Sequence, residues 1–250
     1  INPELNLFKK PSIKSEVVTQ IIYGESFKIL KKSKNFFLIK IKEDGYVGFI
    51  KKIKLFDHIR PNFKVSTLYA NVYKNPKNKK IISKLPFAAK IKVEQTSAKF
   101  AKFSKGWIEY KNIKPINHKD KDIFKNVKIF KNIKYKWGGR TFNGIDCSAL
   151  IQVCLQYNNK YCPRDSSQQI KFFKKNINLK KINKNDIIYW KGHVALALSK
   201  NNLIHAYGPK KKTVIMDIKK TVMIIKKVAT YTNLYMHIIT LIIMLWLCLN

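Results

Sequence analysis

"GGRTFNGIDCSALIQ", residues 138–152, decides how this chain is read. Two glycines, a further turn glycine at Gly144 and an aspartate run directly into an apolar stretch whose spacing predicts an α-helix beginning at Asp146 or Cys147. Ala149, Leu150, Val153, Cys154 and Tyr157 form its apolar positions, and Asn158-Asn159 end it. A structural thiol usually sits inside an apolar element. Cys147 stands instead where a helix starts, and the partial positive charge there lowers a thiol pKa. A thiol with an ordinary pKa of about 8.5 is mostly protonated at neutral pH, so a nucleophilic cysteine also needs a base. His193, behind Lys191-Gly192 at the head of a predicted strand, is the candidate base. His205, twelve residues on in the next strand, is the candidate for holding the tautomer of His193. In a hairpin the two imidazoles share a face only where opposing residue numbers sum to an even value. Each residue also has an ordinary explanation, Cys147 as a small buried hydrophobe and His193 as a packed strand residue.

Upstream of this stretch, residues 118–134 place Ile123, Phe124, Val127 and Phe130 at a spacing that predicts an amphipathic helix. Downstream, "PRDSSQQIKFFKK" from Pro163 reads as a loop entering a helix, and from Asp186 the pattern turns to strands in "DIIYW", "HVALALS", "NLIHAYG" and "TVIMDI". Helices followed by an antiparallel sheet indicate an α+β domain. The first half of the chain differs. "QIIYGESFKIL" and "NFFLIKIKEDGYVGFIKK" alternate apolar and polar residues around a turn at Glu43-Asp44-Gly45. The plan then repeats: "ANVYKNP" answers "LNLFKKP", "KIISKLPFAAKIKV" answers "VVTQIIYGESFKIL", and "KGWIEYKNIKPI" answers "DGYVGFIKKIKL". Two all-β repeats of about 55 residues therefore precede the α+β part.

With 250 residues, 46% of them apolar and 12% aromatic, the chain has the material for a packed core. The net charge of +37 would suit a nucleic-acid binder, but arginine occurs only at Arg60, Arg140 and Arg164, and the lysines are spread evenly. Scarcity of the residue that forks onto phosphates and base edges argues against nucleic acid as a partner, while the lysine surface still favours anionic polymers. The four cysteines form no CxxC and none pairs with a histidine at a zinc spacing, so no metal is expected. Cys147 and Cys154 lie two helical turns apart, roughly 10 Å between Cα atoms and too far for a disulfide. The chain starts at Ile1, so the lack of a signal peptide carries no information. Residues 234–249, "LYMHIITLIIMLWLCL", are an apolar run just short of the ~20 that a membrane helix needs. Membrane association, a packed terminal helix and translation past the natural end of the gene all remain open for it.

Four blocks, "YKWGGRTFNGIDCSALIQ", "PRDSSQQ", "NDIIYWKGHVALAL" and "LIHAYG", strongly resemble the NlpC/P60 family of papain-like cysteine peptidases, in that family's order and spacing over about residues 120–225. The repeats resemble bacterial SH3-like domains through "GYVGFI" and "GWIEYK". The resemblance implies two small all-β SH3-like barrels, residues 1–58 and 62–117, a papain-like α+β domain with an antiparallel sheet over 120–227, and an apolar tail over 228–250. It implies Cys147 as nucleophile, His193 as general base and His205 as the orienting third residue. Tyr135 would bind the oxyanion with the Cys147 amide. Asp146 and Ser148 would take the free amine of an N-terminal L-alanine, and Tyr46, in "DGYVGF", is the candidate for a tyrosine that the first SH3-like domain lends to that pocket. Asp146 also suits an N-cap. The implied reaction is hydrolysis of the bond between γ-linked D-glutamate and a diamino acid in peptidoglycan or a muropeptide, without a cofactor. The alternatives are an inactive wall-binding protein and an amidase or acyl transferase on the same scaffold. The chain departs from the family at Ala149, a glycine in the usual "DCSGL", and at "NDIIYW" for "GDLVFW". The resemblance implies a bacterial source and leaves cytoplasm or cell envelope, and the oligomeric state, undecided.

Overall fold

The structure, a computed structural model, describes residues 2–55, 60–77, 80–173, 181–229 and 237–239. The first β unit consists of β1 (Glu4–Phe8), β2 (Val17–Ile22), β3 (Phe27–Lys32), β4 (Phe36–Ile41) and β5 (Val47–Lys51). They form an antiparallel sheet in the order β2-β1-β5-β4-β3. Alternation buries Leu7, Ile21, Phe37, Ile39, Ile41 and Ile50 in a core of the unit's own. The predicted turn between β4 and β5 forms: Gly45 takes a left-handed φ of +77°, and Asp44 Oδ1 accepts from the Tyr46 amide at 2.9 Å.

The second unit contains β6 (Phe63–Val65), β7 (Tyr69–Tyr73), β8 (Ile81–Pro86), β9 (Lys90–Ile91), β10 (Val93–Thr96), β11 (Phe100–Phe103), β12 (Gly106–Glu109) and β13 (Ile113–Pro115). Its main sheet runs β10-β11-β12-β7-β8, beside a small sheet β13-β6-β9. Strand for strand this is the order of the first unit, so the repeat seen in the sequence is also a repeat of topology. Among the described residues neither hydrogen-bonded sheet closes into a ring, so the expected barrels are open sheets. The edge strand β3 ends in lysines, which discourage pairing with a further strand.

The expected helix over 118–134 does not form. The segment is a series of turns with one 3-10 turn, Val127–Phe130. Asp122 Oδ1 accepts from the Phe124 amide at 3.0 Å and Asp120 Oδ2 from Asn126 Nδ2 at 2.8 Å, local bonds that compete with a helical ladder. Ile123, Phe124, Val127 and Phe130 are nonetheless all buried. A two-stranded ribbon, β14 (Arg140–Thr141) and β15 (Gly144–Ile145), then feeds α1 (Cys147–Tyr157), followed by α2 (Ser166–Phe172). The last sheet is formed by β16 (Ile187–Trp190), β17 (His193–Ala197), β18 (Asn202–Tyr207) and β19 (Lys212–Asp217), with β20 (His237–Ile239) along β16. Helix α3 (Ile218–Ala229), which the strand pattern did not announce, lays Ile218 and Val222 against Ile188, Trp190 and Leu203.

Helix α1 is buried on every side, and its core is continuous with that of the second β unit, running from Val65 and Phe87 through Leu150 and Val153 to Leu196 and Ile204. Ala149, the departure from the family pattern, is fully buried within it. Of the apolar run at 234–249, only His237–Ile239 lies within the described residues. Among the described residues no helix is long and apolar enough to cross a membrane.

Candidate active site

The glycines before α1 permit a close approach. Gly138 has φ +72°, and a Cβ there would lie 2.4 Å from the carbonyl oxygen of Val17 on β2, so the turn rests directly on the first β unit. The chain then enters α1 through Asp146, whose Oδ1 accepts from the Ala149 amide at 2.8 Å as an N-cap. The same carboxylate accepts from Ser148 Oγ at 3.1 Å, from the Gly138 amide at 3.0 Å, and from Arg164 through Nη1 at 3.0 Å and Nη2 at 2.5 Å. Asp146 thus caps α1 and pairs with Arg164 in one side chain that borders the cavity.

Cys147 is the first residue of α1, 5% exposed, at the bottom of that cavity. The backbone amides of Val194 and Ser148 approach its sulfur. Burial, and then the Asp146 carboxylate, push the thiol up to about 12, against the pull of the helix start. Desolvation outweighs the half-charge of the helix end. His193 Nε2 and His205 Nδ1 lie 2.9 Å apart. The pairing Leu196↔Ile204 and Ala197↔Leu203 has the even register that places both imidazoles on one face of the sheet. Burial lowers His193 to about 4, and burial with the neighbouring His193 lowers His205 to about 3. Both rings are therefore neutral near pH 7. Among the described residues Cys147 and His193 share no hydrogen bond; the thiol meets β17 at the Val194 amide, next to His193 in the chain. Tyr207 stacks on His205 at 4.6 Å and 9°, and Trp190 flanks His193 at 5.7 Å. Tyr135 is half-buried, its phenol raised to about 12 by burial and by the nearby Cys147, and so is a donor at neutral pH.

The other wall of the cavity, about 700 Å³ in volume, comes from the first β unit: Glu16, Val18, Gly45 and Tyr46 face Cys147, Ser148, Asp165 and Gly192. Burial, with Asp165 alongside, pushes the Tyr46 phenol up to about 12. Trp137, 59% exposed at the rim, donates from Nε1 to Glu16 Oε1 at 2.8 Å, and this bond, with Lys9, holds Glu16 below the usual carboxylate range. Arg164 ties the wall to the floor, because its Nε donates to Thr19 Oγ1 on β2 at 2.6 Å while its fork holds Asp146. Arg140 makes a second tie. It donates to Glu25 through Nη1 and Nη2, both at 2.8 Å, to the Gln20 carbonyl at 2.6 Å and to Gln156 of α1 at 2.6 Å.

Of the seven residues singled out from the sequence, Tyr46, Asp146, Cys147 and Ser148 line the cavity, His193 follows its Gly192 in the chain and bonds His205, and the Tyr135 phenol lies near Cys147. Arg164, Arg140, Glu16, Asp165 and Trp137 were not singled out. A signal for two of them was present, since Arg140 and Arg164 are two of only three arginines in a lysine-rich chain. A position that keeps arginine against that background marks a need for the planar fork.

Residues 132–232 match the profile of the NlpC/P60 family, and residues 7–55 match that of the bacterial dipeptidyl-peptidase Sh3 domain. The chain is 25% identical over 227 residues to dipeptidyl-peptidase 6 of Lysinibacillus sphaericus, covering 80% of this chain and 84% of that one. It is 23% identical over 236 residues to the gamma-D-glutamyl-L-lysine dipeptidyl-peptidase of Bacillus subtilis (strain 168), covering 82% and 77% respectively. An NlpC/P60 family protein from Bacillus cereus ATCC 10987 has a similar fold, with a TM-score of 0.75 at 16% identity over 86% of this chain and 92% of that one. The SH3 match falls on the first β repeat. Residues 132–232 thus resemble an NlpC/P60 domain and follow a segment that resembles a bacterial SH3 domain.

Proposed function

We propose that this chain is a thiol peptidase that hydrolyses peptidoglycan-derived peptides at the bond between γ-linked D-glutamate and the diamino acid, working inward from a free N-terminal L-alanine. The observation that carries this reading is the cavity itself, lined by a buried cysteine at a helix start and, from the first β unit, by Glu16 and Tyr46. Glu16, Asp146 and Asp165 line the cavity beside Lys9 and Arg164, and a carboxylate among them that is left free would suit an ammonium group. The names of the two curated relatives agree with removal of a dipeptide. The second β repeat is proposed as a second SH3-like unit on the strength of its identical strand order, with units over 1–58, 62–117 and 120–227.

In this mechanism Cys147 attacks the γ-glutamyl carbonyl while its proton passes to His193, because the resting thiol and imidazole are both neutral. The Tyr135 phenol and the Cys147 amide hold the oxyanion. His193, held by His205, returns the proton to the leaving amine, then draws one from water to release the acyl group. Asp146, Ser148 and Tyr46 border the amine, with Asp146 also fixing Arg164 and the helix cap.

The test is digestion of defined muropeptides by wild type and Cys147→Ala, with products identified by mass. Release of L-Ala-D-Glu by wild type, falling by on the order of 10³-fold or more in the variant, supports the reading. Cleavage at the sugar–peptide amide would make the protein an amidase, and binding of wall fragments without turnover would make it a binding protein.

A further inference from the structure

The third residue of the site is an imidazole, and an imidazole does not by itself set the direction of a hydrogen-bonded chain. A carboxylate or carbonyl in that place can only accept, so it dictates which nitrogen of the base carries the proton; a histidine can accept or donate at either nitrogen. Two orientations of the His193–His205 pair are therefore open. In one, His193 Nε2–H donates to His205 Nδ1, and His193 Nδ1 keeps a free lone pair. In the other, His205 Nδ1–H donates to His193 Nε2, and the proton of His193 sits on Nδ1, where the ring can no longer act as a base through that atom.

The far side of His205 resolves this. His205 Nε2 lies 3.3 Å from Met216 Sδ, while its Nδ1 is engaged with His193 at 2.9 Å. Met216 belongs to β19 and pairs with Leu203 of β18, two residues before His205, so it stands on the same face of the sheet one strand over. It packs against the apolar cluster of Ile188, Trp190, Ala195 and Leu203, and His205 is fully buried. A thioether has lone pairs and no proton, so it accepts and cannot donate. The nitrogen facing it is accordingly N–H. With Nε2 protonated, His205 Nδ1 is bare and must accept from His193 Nε2–H, which leaves His193 Nδ1 free to take a proton.

We infer that Met216 is a positioning residue whose sulfur sets the tautomer of both imidazoles and so keeps His193 in its basic form. The inference rests on the reading of His193 as the general base. Met216 touches neither substrate nor thiol; it acts through His205.

The experiment compares full-length wild type, Met216→Leu and, as a control on α3, Met223→Leu, with histidine ring nitrogens labelled and assigned through His193→Asn and His205→Asn. Wild type is expected to show His205 with a protonated Nε2 and a bare Nδ1, and His193 with a protonated Nε2. Met216→Leu keeps the volume and removes the acceptor. It is expected to show mixed tautomers at both rings and a kcat about fivefold lower, equal to about 1 kcal/mol, with KM changed by less than about twofold and Met223→Leu unaffected. A wild-type His205 protonated at Nδ1 overturns the inference even where Met216→Leu does not fold. Unchanged ring tautomers in a folded Met216→Leu overturn it also, whatever happens to kcat. A wild type without peptidase activity removes the reading of His193 as a base, and the ring spectra still decide whether Met216 sets the tautomers.

Discussion

The two β units share a strand order but meet the third domain in opposite ways. The first keeps a core of its own, lends Ile22 to the shared core, and is tied to the third domain by polar groups: Arg164 to Thr19, Arg140 to Glu25 and Gln20, and Gln152 to Asp44 at 2.9 Å. The second has no separate core. Its apolar residues merge with those of α1, and Phe87 stacks on Tyr157 at 4.6 Å. Lys64 adds a single buried charge there, donating to the carbonyl of Tyr157 at the end of α1 and to that of His118 at 2.6 Å. The first repeat is therefore tied to α1 along its length, at the Cys147 end through Arg164 and Asp146 and further on through Gln152 and Gln156, while the second holds the Tyr157 end. The polar junction shapes the cavity, and the apolar one holds the helix. Burial of apolar area is non-directional, whereas forked ion pairs fix position; a wall that must sit at a set distance from a thiol calls for the second kind.

If this division of labour holds, damage to the apolar junction should cost stability and spare substrate binding. Phe87→Ala removes a buried ring that also meets Phe130 edge-on at 5.7 Å. It is expected to lower the unfolding free energy by about 3–5 kcal/mol, with KM of the remaining folded enzyme within about twofold of wild type. Urea unfolding alongside steady-state kinetics checks both, and a large rise in KM would blur the contrast.

Damage to the polar junction should do the reverse. Arg140→Met leaves the Glu25 carboxylate, whose side chain is 4% exposed, without its ion partner. A loss of about 3 kcal/mol is expected, with a severalfold rise in KM, and the double variant with Glu25→Gln should recover part of the stability because the stranded charge is gone. An unchanged KM would mean that this junction does not shape the cavity.

The smallest effect belongs to Lys64 and appears only with pH. Burial pulls its ammonium down to about 8, against 10.5 in the unfolded chain. Between those values the unfolded state holds a proton that the folded state has lost, so stability rises with pH across the window. The unfolding free energy of wild type minus that of Lys64→Met is expected to increase by about 1–3 kcal/mol from pH 8 to pH 10.5. A flat difference would show that the charge is not what the junction strains against.

The same contrast explains what could be read from the sequence. The segment from Gly138 to Gln152 was legible because turn glycines, an N-cap and helical spacing are local signals, and His193 and His205 because a short hairpin ties them together. The repeat was legible in "GYVGFI" and "GWIEYK". The helix expected over 118–134 was a misread period: Ile123, Val127 and Phe130 are spaced for burial, but Asp120 and Asp122 spend their side chains on turns. The junctions were not legible. Arg164 meets Thr19 across 145 positions of chain and Arg140 meets Glu25 across 115, separations at which no periodic pattern links two residues. For the same reason the upward push on the Cys147 thiol was not legible, since desolvation is set by everything that folds over the helix start, and the helix alone argued the other way.

The most direct test of the account is the rate of dipeptide release from L-Ala-γ-D-Glu-diamino acid peptides with a free and with an acetylated N-terminus. The free amine is expected to be cut about 100-fold faster or more, the equivalent of about 2.7 kcal/mol, on the proposal that it sits beside Glu16, Tyr46 and Asp165, which line the cavity. Equal rates on the two peptides would contradict it.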